Sequence, residues 1–250
     1  MANENIDERI SLIKDRLEFV SMITALHPQF LNPALIRVYE GENGWTHPWM
    51  YFDALRNYLL LTCFDLLGQP DNFMDFDSWL SSSKTVTERK KTFENNNSED
   101  LNETIKNVYK EYKLSYGTKN SFFKFLNEVL TETMRIELAD DIWIHKYEKL
   151  TNKRINSIEG NENKFKGLYN IRNSFTHAGI NTGSIGAGVF PNFPGEMIID
   201  GIPKKGYAPV SYIFKNDTYT VTYVRDWPDV LIRAVEYGVK QLEMHSTPKK

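Results

Sequence analysis

The chain reads as a mainly α protein, a helical bundle with a small β-hairpin or three-stranded sheet inserted before the last helix. Three observations predict this. Apolar residues recur at spacings of three and four in successive stretches up to His177. A stretch rich in Gly and Pro at 179–210 then leads into β-rich segments. An amphipathic stretch from residue 226 closes the sequence. With 250 residues, 41% hydrophobic and 25% charged, one domain spanning 1–250 with a β-rich insertion at about 180–225 can bury a real core.

Residues 5–26 carry Ile6, Ile10, Ile13, Leu17, Val20 and Ile23 on one helical stripe, and His27-Pro28 should end the helix. Residues 28–47 read as a loop with a short helix at 33–38. A second, central helix is expected over 48–67, with Pro48 in its first turn and Gly68 just past its end. Residues 70–100 look polar and irregular, a substrate lid or a disordered loop, with Asn95-Asn96-Asn97-Ser98 as a connection. Helical spacing returns over 101–114 and 121–150, with a break near Ala139-Asp140, and again over 163–177, where Gly179 is placed to cap. Strands are expected at 196–200, 211–215 and 218–224, with a tight turn at Asn216-Asp217. Residues 226–244 form the last helix, with Asp226 as N-cap and Pro228 in the first turn.

The formal net charge of −3 argues against a sequence-independent DNA coat but leaves room for a local phosphodiester site. The single cysteine, Cys63, cannot form an intramolecular disulfide and sits in an apolar run, so it reads as a small buried hydrophobe. The N-terminus is acidic and polar, unlike a signal peptide, and no apolar run approaches a membrane span. A cytoplasmic protein without a membrane partner is expected.

The sharpest chemical signature is Arg172-Asn173-x-x-x-His177. On a helix, Leu168, Ile171, Phe175 and Ala178 share the face that packs inward. Asn173 and His177, four apart, share another face. Arg172 at the stripe's edge can bury its stem and bring its guanidinium toward His177. One turn thus offers a cation, an amide and an imidazole. RNA cleavage without a metal needs such parts: a group to take the 2′-hydroxyl proton or protonate the 5′-oxygen, and a fork for the phosphate oxygens. Asn173 can hold a phosphate oxygen or fix the imidazole. No Asp or Glu occurs over 163–195, so Lys164, Lys166 and Arg172 form a locally basic stretch suited to RNA.

The string from Tyr169 to Gly179 resembles the Arg-x(4–6)-His motif of the HEPN superfamily, including the polar residue after Arg. The resemblance covers about a dozen residues. It implies a helical bundle, a homodimer through the Arg172–His177 helix, and endonucleolytic RNA cleavage to a 2′,3′-cyclic phosphate with no cofactor or metal. Arg172 and His177 match its catalytic pair, and Asn173 its polar position. It also implies a role as toxin or effector in bacterial defence, with an antitoxin or defence-system partner protein. The alternative within the same superfamily is a non-catalytic module that binds a partner protein or nucleotide.

Weaker constellations also occur. Glu137, Asp141, His145 and Glu148 could line one helical face and ligate a metal. His47 between Trp45 and Trp49 could stack a base. The glycines at 179–188 lack the Lys and Ser/Thr of a phosphate-binding P-loop.

Overall fold

The structure is a computed structural model that describes residues 2–22, 25–26, 50–51, 53–94, 100–147, 151, 153–181, 195–199, 202–206, 210–214, 217–223 and 227–246. The first helix, α1 (Ala2–Met22), buries Ile6, Ile10, Ile13 and Val20, as its spacing predicts. It stops short of residue 26 because Ala25–Leu26 (β1) pairs with Met50–Tyr51 (β2), Ala25 opposite Tyr51. That ladder takes backbone groups a longer helix would need. The central helix, α2 (Asp53–Leu67), therefore starts later than expected. Leu60, Leu61, Cys63 and Phe64 on it are fully buried. Pro48, His47 and the two neighbouring tryptophans lie outside the described residues.

Gly68 follows α2 as expected, but its role is one of space. A Cβ there would stand 1.8 Å from the Ser121 carbonyl oxygen and 2.8 Å from the Phe125 nitrogen. Only glycine lets the end of α2 approach this segment so closely.

Residues 70–94 are folded, contrary to the expectation of an irregular loop. They form α3 (Phe76–Ser81), a 3-10 turn (Ser83–Thr85) and α4 (Val86–Glu94), followed by α5 (Leu101–Tyr116). The Asp75 carboxylate caps α3 at Ser78 N, 2.8 Å, and Asp100 caps α5 at Asn102 N, 2.8 Å. Trp79, Val108, Tyr112 and Tyr116 are buried together, with Phe73, Met74 and Phe76 around them. Arg89 donates to the Trp79 and Ser82 carbonyls and the Thr85 hydroxyl, tying the turn to α4. Few apolar residues suffice here because most are aromatic and bury large areas.

The expected helix over 121–150 divides. It becomes α6 (Thr118–Lys124), which runs on into a π turn (Phe125–Val129), then α7 (Glu132–Asp140) and strand β3 (Ile142–Tyr147). The break near Ala139-Asp140 was legible; the strand beyond it was not. After β4 (Arg154–Ile158) comes α8 (Asn161–Asn181), the helix of the candidate motif. It runs past Gly179, which lies inside the helix rather than capping it. Antiparallel β-structure then precedes the last helix, as expected. One hairpin is β5 (Gly195–Ile199) with β6 (Ile202–Gly206); another is β7 (Val210–Phe214) with β8 (Asp217–Tyr223). Phe214 pairs with Asp217 where the turn was placed. The second hairpin is larger than foreseen because β8 also pairs along β3, giving the order β4–β3–β8–β7.

The last helix, α9 (Trp227–Ser246), has Pro228 in its first turn; Asp226 lies outside the described residues. It buries Val230, Leu231, Ala234, Val235 and Val239 and packs along α2. A Cβ on Gly238 would come within 2.7 Å of Leu67 and Phe125, so this crossing is also close. The main core therefore joins α1, α2, α6, α8, α9 and the inner face of β3, where Ile142 and Ile144 are buried. Among the described residues, no helix is long and apolar enough to cross a membrane.

Candidate active site

Helix α8 is anchored by Phe165, Leu168 and Ile171, buried at spacings of three as its stripe predicts. Tyr169 stacks edge-on against Phe122 of α6, ring centroids 5.3 Å apart. These contacts fix the rotation of the helix about its axis and thereby the direction in which Arg172 and Asn173 leave it. The side chains of Phe175, His177 and Ala178 lie outside the described residues; the backbone places His177 on α8, five residues after Arg172.

How near the Arg172 guanidinium comes to His177 falls outside the described residues, but the guanidinium itself has described partners. It turns to Asp65 on α2: Nε donates to Oδ2 at 2.9 Å and Nη2 to the same oxygen at 2.6 Å. The side chains are 16% and 6% exposed, so this is a largely buried ion pair. A carboxylate near the C-terminal end of a buried helix needs a cation, and α8 brings one within reach. Nη1 donates to Asn173 Oδ1 at 3.2 Å. That bond fixes the amide, its oxygen toward Arg172 and its NH2 turned away as a donor.

Around the pair lies a small polar network. Arg16 from α1 donates to the Thr62 hydroxyl at 2.7 Å, one turn before Asp65. Thr176 donates to its own helix at the Arg172 carbonyl, 3.1 Å, and its hydroxyl oxygen lies 3.4 Å from the Tyr58 hydroxyl. Burial pushes the Asp65 carboxyl up to about 6, against the opposing pull of Arg172 and Arg16. Burial raises the Cys63 thiol to about 12, which fits an inert buried side chain rather than a nucleophile.

The two lysines divide. Lys164 donates to the Ala139 carbonyl at the end of α7, 2.7 Å, and burial lowers its ammonium from the ordinary range. It thus caps a neighbouring helix. Lys166 is exposed on α8. The stretch without acids is so only along the chain, since folding brings Asp65 into its centre.

The weak possibility of a metal face is not realised among the described residues. Asp140 ends α7 and His145 lies on β3, so no single helical face carries Glu137, Asp141 and His145. Glu137 pairs with Arg233 at 2.6 Å, and His145 is buried with Nδ1 3.1 Å from the Ser157 hydroxyl. Glu148 is outside the described residues. Among those described, no three such side chains gather as a metal site.

Sequence reasoning missed Asp65, Arg16 and Thr62. The signal for Asp65 was present: a lone acid in Leu59-Leu60-Leu61-Thr62-Cys63-Phe64-Asp65-Leu66-Leu67 must find a partner or stay unburied. Comparison with known families, curated proteins and solved structures finds no match to this chain.

Proposed function

We propose that the protein is a metal-independent endoribonuclease of HEPN type. In this reading it cuts single-stranded or loop RNA, works as a dimer through α8, and serves as a toxin or effector in bacterial defence in the cytoplasm. The observation that carries it is the placement of Arg172, Asn173 and His177 on one unbroken helix, with the first two side chains joined head to head. In the proposed step the 2′-oxygen attacks phosphorus as its proton passes to a base, and the P–O5′ bond breaks as the 5′-oxygen gains a proton. His177 is the group suited to either proton transfer near neutral pH. Arg172 and the Asn173 amide donate to the phosphate oxygens as their charge grows.

The test is cleavage of a panel of RNAs in EDTA, with end-group analysis. The wild type should leave 2′,3′-cyclic phosphates. His177→Ala and Arg172→Ala should each lose activity while keeping the far-ultraviolet circular dichroism of the wild type. Metal-dependent cutting, or full activity in either variant, refutes the proposal.

One observation favours the second reading, a non-catalytic HEPN-like module that binds a partner protein or nucleotide. The Asp65 carboxylate cancels much of the charge of Arg172, as a purely structural pair would. A protein inert on every RNA, recovered from its host with a stable partner, supports that module instead.

A further inference from the structure

We propose that Asp65 is a positioning residue of this site, holding the Arg172 guanidinium in one plane so that its outer N–H groups can receive a phosphate oxygen beside Asn173. The inference rests on the nuclease reading and extends it to a residue far from the motif in sequence.

The bonding pattern is the first argument. Guanidinium has five N–H groups in a rigid fork. Asp65 takes Nε–H and one Nη2–H, the side edge, and Asn173 takes one Nη1–H. One N–H on each terminal nitrogen remains uncommitted among the described contacts. The remaining Nη2–H faces the end edge of the fork, beside the Nη1 that holds Asn173, a direction from which a phosphate oxygen can be met.

Rigidity is the second. Asp65 follows Phe64, whose ring lies 4.6 Å from that of Phe125 and 5.4 Å from that of Phe122. Its backbone cannot drift without disturbing these buried rings. The free Arg172 side chain would otherwise sample many rotamers, and ordering it at the moment of binding would cost affinity and rate.

Charge balance is the third. A carboxylate alone would leave the fork neutral overall, with no net attraction for a phosphate. Arg16, bonded to the Thr62 hydroxyl one turn before Asp65, adds a weaker electrostatic pull on the same carboxylate from α1. Two guanidinium groups and one carboxylate leave one positive charge at the site, so the arrangement holds the fork and still attracts an anion.

The experiment measures single-stranded RNA cleavage in EDTA by the wild type, Asp65→Asn, Arg172→Ala and the double variant. Asp65→Asn should lower kcat by about 10-fold or more with KM changed less than about 3-fold, and the double variant should be no slower than Arg172→Ala alone. A merely structural acid would change the folded fraction and Tm but leave kcat per folded molecule alone, and its effect would add to that of Arg172→Ala. Either of those outcomes overturns the inference. A second measurement needs no activity. The Arg172 Nε–H resonance, assigned by its loss in Arg172→Lys, should exchange slowly in the wild type at pH 7.5 and be lost in Asp65→Asn. Should Asp65→Asn fail to fold, acidifying the wild type to pH 5, where N–H exchange is itself slow, should instead move that resonance to the chemical shift of an unpaired guanidinium. A resonance indifferent to both changes overturns the positioning role. A wild type that cuts no RNA overturns the nuclease reading separately, whatever the resonance does.

Discussion

Replacing Gly68 by alanine tests the closeness of α2 to α6, on which the position of Asp65 depends. The added methyl would lie 1.8 Å from the Ser121 carbonyl oxygen, 2.7 Å from its carbon and 2.8 Å from the Phe125 nitrogen. All three are backbone atoms, so no rotamer change relieves the clash. An ordinary carbon–oxygen contact is near 3.3 Å, which asks the two segments to part by roughly 1.5 Å, a large shift for a close-packed interior. Inserting a methyl into a well-packed core costs about 1–3 kcal/mol, and an immovable backbone neighbour puts this site at about 3 kcal/mol or above. For a chain of this size that lowers Tm by about 6–12 °C. Thermal melts and urea titrations followed by circular dichroism read it directly. Asp65 lies one turn before Gly68, so a folded remnant of Gly68→Ala should also have a weakened Arg172 pair and, on the proposed nuclease reading, reduced RNA cleavage. A variant within about 1 kcal/mol of wild type, with full cleavage, would refute the close approach and the lever it gives over Asp65.

Two further outcomes follow from the charges. The folded protein holds a proton on Asp65 up to about pH 6, above the ordinary carboxylate range, so between about 4 and 6 the unfolded chain binds fewer protons than the folded one. The contribution of this group to stability is therefore greatest at the acid end and falls as pH rises through that window. Subtracting the Tm–pH curve of Asp65→Asn from that of the wild type should reveal that downward slope; a flat or rising difference contradicts it. Lys164 and Lys166 should separate by assay. Lys164→Met removes the bond to Ala139 and should destabilise by about 1 kcal/mol in urea titration. Lys166→Met should leave stability unchanged and reduce the salt slope of RNA binding by about one. Equal effects of the two substitutions on binding alone would count against this division.

The helices that carry the site were legible because their apolar residues recur over many turns. Ile6 to Val20 on α1, and Phe165, Leu168 and Ile171 on α8, fall inward as the period requires. Strand β3 was not legible: Ile142-Trp143-Ile144-His145 alternates over few residues, and it follows a helical stretch that lends it a false period. Its strand state depends on β4 and β8, partners remote in sequence. The helices at 76–94 were hidden by their polarity, although Asp75, three residues before Ser78, was a cap in plain view. At the site, the local string placed Arg172 and Asn173 correctly on a helix but could not say which acid the guanidinium would choose. That choice is tertiary, made by the burial of Asp65 across a helix interface.

Helix α8 lies along the chain between β4 and β7, yet β3 and β8 are neighbours, with Ile142 opposite Tyr223. The ribosome must therefore deliver the whole motif helix and the following hairpin before β3 gains its second partner. At roughly 5–20 residues per second this wait lasts several seconds. Meanwhile α3 to α5, whose aromatic cluster lies wholly within residues 73–116, can already have collapsed. A nascent chain would thus hold the motif helix without the full sheet that braces it until the last strand arrives.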